Sequence, residues 1–315
     1  MLKLNPVFKD YIWGGDKLKT LYHKKSDLEV MAESWELSTH KDGQCKIAEG
    51  AHEKETLANW IKGKNFLGSK AASQDDLPIL IKLIDAKDNL SVQVHPDDDY
   101  ALTNEGDFGK TEMWYVLEAE EDARLVYGFK KDISKEAFEQ HIIDNTLTEV
   151  LNSVPVKKGD VFFINPGTMH AIGKGIMIAE IQQSSNVTYR VYDYGRVGVD
   201  GKPRELHVEK ALQVTHLKKA DKAKVDYNLE KHEGYSRGVI AACKYFTVEL
   251  VEIEAEAVMH ADHTTFHSLL ILEGDVRIYS HKDTLYAAKG ESIFIPASYG
   301  DYKIEGSSKI ILSTL

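Results

Sequence analysis

The 315-residue chain is long enough for two domains of ordinary size, and its 43% hydrophobic and 28% charged residues are typical of a globular protein with a buried core. A formal net charge of −11 argues against a nucleic-acid partner, because phosphate backbones bind to basic surfaces. With no apolar signal segment at the N-terminus, no run of 18 apolar residues for a membrane span and only two cysteines, we expect a cytoplasmic protein without a membrane contact.

Short strands separated by turns dominate the pattern along the chain. The runs that predict strands are rich in β-branched and aromatic residues and are bounded by Gly, Pro, Asn or Asp. They cover 77–84, 112–118, 160–166, 176–183 and 187–194. Many short strands with turns between them predict a mainly β fold, either a sandwich or a small barrel.

Helical patterns are fewer, and one polar stretch predicts a domain boundary. Helices are predicted over 53–62, directly after Ser134 as N-cap, and over 205–214. The charged segment 218–235 contains few large apolar residues and is predicted to be a linker. These features divide the chain into an N-terminal domain at 1–217, the linker at 218–235, and a C-terminal domain of strands at 236–315.

The C-terminal part resembles a second copy of the middle of the chain. The run from Glu112 to Glu118, EMWYVLE, is echoed by HSLLILE, and KKGDVFFINPGTMH is echoed by AKGESIFIPASYG. His170 follows Pro166 by four residues, whereas in the second copy Gly300 follows Pro296 by four. We therefore expect two similar domains, with the polar residues of a site in the first and no metal ligands in the second.

Three residues on predicted strands could bind a divalent metal. His95, Glu112 and His170 offer imidazole nitrogens and a carboxylate oxygen, the ligands expected for Zn²⁺ or another first-row ion. Gln93 lies two residues before His95, so its amide projects from the same face of the strand. Two histidines and one glutamate leave a position open, as in catalytic sites. The alternative is that each is a structural polar residue with its hydrogen bonds satisfied.

Four charged residues interrupt or flank these strands. Lys82 stands within ILIKLI, where a buried ammonium needs an anion beside it unless the side chain reaches solvent. Lys110 precedes Glu112 by two and is expected to face the same pocket, although most lysines are simply solvated. Glu180 lies between apolar neighbours, and burial would raise its pKa towards the range useful for proton transfer unless it is ion-paired. Arg190 could hold a phosphate or an oxyanion, or form a structural salt bridge.

The chain resembles the type I mannose-6-phosphate isomerases in their short bacterial form. The resemblance rests on motifs in the same order along nearly the whole chain: PVFKDYIWGG, ESWELSTH, LIKLIDAKDNLSVQVHPDD, GKTEMWYVL, GDVFFINPGTMHAIG and EIQQSSNVTYRVYDYGR. It implies cupin domains, each a double-stranded β-helix or jelly roll, the first catalytic. It also implies one zinc ion per chain and interconversion of mannose 6-phosphate and fructose 6-phosphate.

The same resemblance implies roles for individual residues. The metal ligands of the family fall on Gln93, His95, Glu112 and His170, and its catalytic arginine falls on Arg190. Its active-site lysines and glutamate fall on Lys82, Lys110 and Glu180. We expect Glu180 to be the base, with Lys110 as the second choice, and Lys82 to neutralise negative charge in the pocket. Members of the family often have Asp four residues before the arginine, where this chain has Asn186.

Two other functions are compatible with parts of this pattern. Two histidines and a carboxylate are also the ligands of Fe(II) oxygenases, although the lysines and arginine suit a sugar phosphate better. A sugar-binding regulator without catalysis is the second alternative, and an activity assay would separate it from an enzyme. The expected partner is a small sugar phosphate, and the expected assembly is a monomer or a weak homodimer.

Overall fold

The computed structural model describes residues 1–71, 74, 76–198 and 201–315. Short strands are the most frequent regular elements of the first half of the chain. They are β1 Leu2–Asn5, β2 Val7–Lys9, β3 Glu33–Leu37, β4 Lys46–Ile47, β5 Ile79–Ala86, β6 Val92–Val94, β7 Glu112–Ala119, β8 Arg124–Phe129, β9 Leu151–Pro155, β10 Val161–Ile164, β11 His170–Ala171, β12 Ile176–Gln183 and β13 Tyr189–Tyr192.

Among the described residues, the regular elements of the second half are strands. They are β14 Glu230–His232, β15 Tyr235–Ala242, β16 Thr247–Ile253, β17 Glu256–Ala261, β18 His267–Glu273, β19 Val276–Tyr279, β20 Thr284–Ala287, β21 Ser292–Ile295, β22 Gly300–Glu305 and β23 Ser308–Thr314. The helices are α1 Lys17–Thr20, α2 Leu57–Ile61, α3 Asp98–Asn104, α4 Lys135–Ile143 and α5 Val208–Val214, with 3₁₀ turns at Ser69–Ala71 and Leu147–Glu149. The prediction of a mainly β fold with a few helices is confirmed.

The strand order is the same in the two halves, as the sequence echo predicted. The first half forms an antiparallel sheet in the order β10-β7-β12-β5-β3-β2. The second repeats it as β21-β18-β23-β16-β15-β14, and that sheet continues beyond β21 with β1 and β4 of the first half. The register agrees as well, because Glu112 pairs with Ile164 and His267 pairs with Ile295. Each half adds a smaller sheet, β13-β6-β11-β8-β9 in the first and β17-β22-β19-β20 in the second.

Three apolar clusters hold the large sheets and barrels together, and a fourth packs α4 and α5 against the smaller sheet of the first half. One fills the first barrel around Trp114 and Phe162, and a second fills the other barrel around Ile271 and Ile293. The third joins the large sheets of the two halves, from Ile81 across to neighbours in the second sheet. Side chains alternate between the faces of a strand, so the six-stranded sheet packs on the second half with one face and lines its own barrel with the other.

Helix boundaries differ from the predicted ones for local reasons. The helix predicted at 53–62 begins only after Thr56, whose side chain accepts a hydrogen bond from the Asn59 amide as an N-cap. The helix predicted at 205–214 begins at Val208, because the amide of His207 donates to the carbonyl of Arg190. Ser134 is the N-cap of α4, as predicted.

The segment that connects the two halves stays in contact with the first barrel. Within 218–235, the amide of Ala220 donates to Phe129 and that of Val225 to Val161, so the chain follows the first barrel before β14 begins. Conversely, strand β1 of the first half pairs with β21 in the large sheet of the second half. The division at 1–217, 218–235 and 236–315 stays a prediction. Among the described residues, no helix has the length and apolar character needed to cross a membrane.

Candidate metal centre and active-site cavity

Three strands of the first barrel bring His95, Glu112 and His170 together. The Nε2 atoms of the two histidines are 3.1 Å apart, His170 Nε2 is 3.3 Å from Glu112 Oε1, and His95 Nε2 is 3.6 Å from Glu112 Oε2. A tetrahedral zinc site with bonds of about 2.0–2.1 Å has edges of about 3.3–3.4 Å. The spacing therefore fits three ligands of one small cation.

Backbone carbonyls fix the two imidazole rings. His95 Nδ1 is 2.9 Å from the carbonyl oxygen of Val187, and His170 Nδ1 is 2.8 Å from that of Thr168. Because a carbonyl can only accept, each Nδ1 carries the proton and each Nε2 offers its lone pair to the cluster. This arrangement is the usual support of a histidine that binds a metal.

Complete burial of the cluster shifts the pKa values of its three side chains. Burial lowers the pKa of His95, with Lys110 acting in the same direction, and lowers the pKa of His170 to about 4, so both rings are neutral at pH 7. Burial raises the pKa of Glu112 despite the nearby Lys110. Among the described residues, neither carboxylate oxygen of Glu112 receives a hydrogen bond of good geometry. A buried carboxyl without such a bond, facing two imidazole lone pairs, fits a cation ligand.

Gln93 and Lys110 connect this cluster to a cavity of about 270 Å³. The amide nitrogen of Gln93 is 3.5 Å from His170 Nε2, within reach of the same centre once the amide is rotated. Lys110 Nζ is 2.9 Å from Glu112 Oε2 and 3.3 Å from His95 Nε2. A wider groove of about 740 Å³ beside Gly167 is lined by none of the predicted site residues.

Lys82 and Glu180 face the same cavity and pair with each other. They are directly opposite on β5 and β12, with Nζ 3.3 Å from Oε2. Lys82 is also 3.7 Å from Glu33 and lies over the Trp35 ring, while Trp114 donates to Glu180. Lys82 is 4% exposed, so the alternative of a solvent-reaching lysine is wrong. Its anions, Glu180 and Glu33, offset the cost of burial.

Of the two alternatives for Glu180, the ion-paired one is found, and the expectation of a raised pKa is wrong. Burial alone would raise the pKa, but the positive charges of Lys110 and Lys82, together with the Trp114 N–H, outweigh it and lower the pKa of Glu180. Buried carboxylates follow their charged neighbours when these lie within a few ångströms. Glu180 is consequently a carboxylate at neutral pH, which is the form that can accept a proton.

Arg190 lines the cavity next to residues that sequence reasoning did not single out. It pairs with Gln93 on the neighbouring strand, and its Nη1 donates to the Glu205 carbonyl. Glu33 and Arg204 line the same cavity. The alternation in ESWEL could have placed Glu33 on the face of Trp35, but the sequence offers no signal for Arg204, which follows β13 in a loop.

Comparisons with known proteins agree with this arrangement. The model of the phosphomannose isomerase type I catalytic domain matches residues 1–123, and that of the mannose-6-phosphate isomerase cupin domain matches 238–315. The mannose-6-phosphate isomerase ManA of Bacillus subtilis is 34% identical over 100% of this chain and 98% of the relative, and that of Streptococcus mutans is 36% identical over 96% and 94%.

Solved structures give the same result for the fold. A crystal structure of mannose 6-phosphate isomerase from Bacillus subtilis superposes with a TM-score of 0.93 and 34% identity, covering 100% of this chain and 99% of the other. A putative mannosephosphate isomerase from Archaeoglobus fulgidus, at 23% identity and a TM-score of 0.79, covers 99% and 97% and shares the fold. The double-barrel architecture is therefore common to chains of very different sequence.

Proposed function

The chain belongs to the type I mannose-6-phosphate isomerase family, and on that premise we propose that it interconverts mannose 6-phosphate and fructose 6-phosphate with one bound zinc ion. The observation that carries the proposal is the buried His95–Glu112–His170 cluster, which opens through Gln93 and Lys110 onto a cavity lined by cations. A cationic cavity beside a metal centre suits an anionic sugar better than a neutral one.

The ligand chemistry supports zinc. Neutral imidazoles and a carboxylate, with ligand atoms spaced as the edges of a tetrahedron, would hold Zn²⁺ through His95, Glu112 and His170, and Gln93 is the candidate for a fourth contact. When bound, the ion supplies a Lewis acid that polarises substrate oxygens and stabilises negative charge on them. Because the three ligands are buried, substrate would approach only from the side of the cavity.

The surrounding side chains suit proton transfer between C1 and C2 through an enediol. Glu180 would remove the proton next to the carbonyl and return it at the neighbouring carbon, and Lys110 is the second candidate for this role. Lys82 would keep Glu180 ionised and balance negative charge in the pocket. Arg190 would stabilise the enediolate or assist ring opening, and its buried Nε has no partner among the described residues.

Metal dependence can be tested with the purified protein. In a coupled assay we expect conversion of mannose 6-phosphate, loss of at least about 95% of the rate after chelation and dialysis, and recovery when zinc is restored, because the metal polarises the reacting oxygens. Protein dialysed in the same way without chelator is the control. A chelated protein, checked by elemental analysis, that keeps its full rate would contradict the metal role, and oxygen uptake in place of isomerisation would favour the oxygenase alternative.

The role of Glu180 can be tested separately from metal binding. We expect Glu180→Gln to slow turnover and the incorporation of solvent deuterium at C2 by about 10²–10⁴-fold, because an amide cannot accept the proton. Glu118→Gln is the matched control, since Glu118 lies at the outer end of β7 and pairs with Lys158. Unchanged deuterium exchange at C2 with normal metal content would exclude Glu180 as the base.

Two further features of the proposal come from the sequence alone. The cytoplasmic location is a prediction from the low cysteine content. The monomer or weak homodimer is likewise a prediction, which sedimentation of the zinc-loaded protein would test.

A further inference from the structure

The turn between β15 and β16 of the second half reaches the first half of the chain. Residues 243–246 form this turn, and Phe246 within it is completely buried between the two halves. The Phe246 ring is 6.2 Å from the ring of Phe163 on β10. The side chain before it, Tyr245, donates its hydroxyl hydrogen to Asp98 Oδ2 at the start of α3. The two halves are therefore joined here by a polar bond as well as by their shared apolar core.

Asp98 connects this turn to the backbone at the start of β7. Its Oδ1 accepts hydrogen bonds from the Gly109 amide at 3.0 Å and from Gln183 Nε2 at 2.8 Å. Gln183 in turn accepts a hydrogen bond from the Thr111 amide at 2.8 Å through its Oε1. The backbone just before β7 is thus held by two side chains, one of which is bonded to the second half.

That stretch of backbone leads directly to the metal cluster. Lys110 lies within it, and its amide donates to the carbonyl of Pro96, the residue after His95, at 3.0 Å. Glu112 follows two residues later as the first residue of β7. A shift of this stretch would move Glu112 together with the Lys110 ammonium group, which is 2.9 Å from its carboxylate.

Glu112 depends on this backbone support more than the two histidine ligands do. Side chains that bind a metal are usually oriented by hydrogen bonds with neighbouring groups. Both imidazole rings have such bonds to backbone carbonyls, but among the described residues neither oxygen of Glu112 accepts a hydrogen bond of good geometry. The position of this carboxylate is accordingly set by its own strand, which begins where Gly109 and Thr111 are held.

We propose that Tyr245 is a positioning residue for the metal centre and acts through Asp98 on the backbone before Glu112. A carboxylate that is bonded at both oxygens cannot rotate freely, so the Tyr245 hydroxyl keeps Asp98 Oδ1 directed at its two donors. The inference rests on the proposed function, because it assumes that the cluster holds a metal ion. It also gives a role to the second half, which supplies none of the described residues that line the cavity.

Release of zinc to a chromogenic chelator tests this assignment. Tyr245→Phe keeps the ring and removes only the hydroxyl, and we expect it to release zinc at least about threefold faster than wild type. For Asp98→Asn we expect at least about tenfold faster release, since loss of groups that orient metal ligands typically weakens metal binding by about 10–100-fold. With zinc in excess, kcat should fall in both variants while KM stays within about twofold. Wild-type zinc release in Tyr245→Phe would overturn the proposal.

Tyr227→Phe is the matched control. The Tyr227 hydroxyl also donates to the first half, to the carbonyl of Gly159 at 3.0 Å. Gly159 precedes β10 at the end opposite Ile164, which is the strand partner of Glu112. We expect wild-type zinc release in this variant, even where its free energy of unfolding falls as much as that of Tyr245→Phe. Equally fast release in both variants would show a general loosening between the halves and would overturn the proposal.

Hydrogen–deuterium exchange of the chelated protein gives a readout that needs neither metal nor activity. We expect the amides of Gly109 and Thr111 to exchange at least about threefold faster in Tyr245→Phe than in wild type, because their acceptors lose support, and at the wild-type rate in Tyr227→Phe. Unchanged exchange in Tyr245→Phe would overturn the proposal. A wild-type protein that binds no zinc would contradict the proposed function instead, and the exchange rates would still decide whether Tyr245 fixes this backbone.

Discussion

Glu112→Gln is expected to remove bound metal and to reduce isomerisation to background. The substitution keeps the size of the side chain but replaces the one anionic ligand of the cluster by a neutral amide, and Zn²⁺ prefers a carboxylate oxygen beside two imidazoles. We expect metal content after dialysis to fall at least about tenfold and turnover to fall by about 10³-fold or more, since the Lewis acid is lost with the metal. Elemental analysis and the coupled assay measure the two effects.

Glu118→Gln on the same strand separates this effect from a general disturbance of the sheet. Glu118 is half-buried at the far end of β7 and is 3.2 Å from Lys158, well away from the cavity lining. We expect this control to keep both metal and activity. Full metal retention in Glu112→Gln, with a normal unfolding transition, would show that Glu112 is not a ligand.

Arg190→Ala is expected to lower turnover by about 10²–10³-fold while metal content stays at the wild-type level. A guanidinium aimed at developing negative charge contributes about 3–4 kcal/mol to transition-state stabilisation, and Arg190 is partly buried with an unpartnered Nε. Among the described residues, no side-chain contact joins Arg190 to His95, Glu112 or His170. The metal should therefore remain bound in Arg190→Ala. The loss should appear mainly in kcat.

A surface arginine of the same barrel provides the comparison for Arg190. Arg124 is exposed on β8 and donates to Ser153, so Arg124→Ala removes the same charge without touching the cavity. We expect this control to retain normal kinetics. A near-normal kcat in Arg190→Ala would remove Arg190 from the mechanism and leave the stabilisation of charge to the metal and the lysines.

Much of the fold could be predicted because its determinants are local. Runs rich in β-branched and aromatic residues between turn residues identified β5, β7 and β12. The repeat of EMWYVLE as HSLLILE predicted that the fold occurs twice, and the two halves share a strand order. The helix at Ser134 was found because an N-cap is a local signal. Thr56 is an equally local N-cap that the prediction of α2 missed, whereas the start of α5 depends on a hydrogen bond to Arg190 on another element.

The composition of the site was predictable for a similar reason, but its electrostatics were not. The sequence by itself determined which residue types project from each strand, and so identified His95, Glu112, His170 and the cations near them. Only the tertiary structure decided that Lys82 is opposite Glu180, that Lys110 and Lys82 lower the Glu180 pKa against the effect of burial, and that Arg204 lines the same cavity. The physical reason is that alternation along a strand depends on backbone geometry, whereas a Coulomb interaction depends on distances between side chains that are far apart in the sequence.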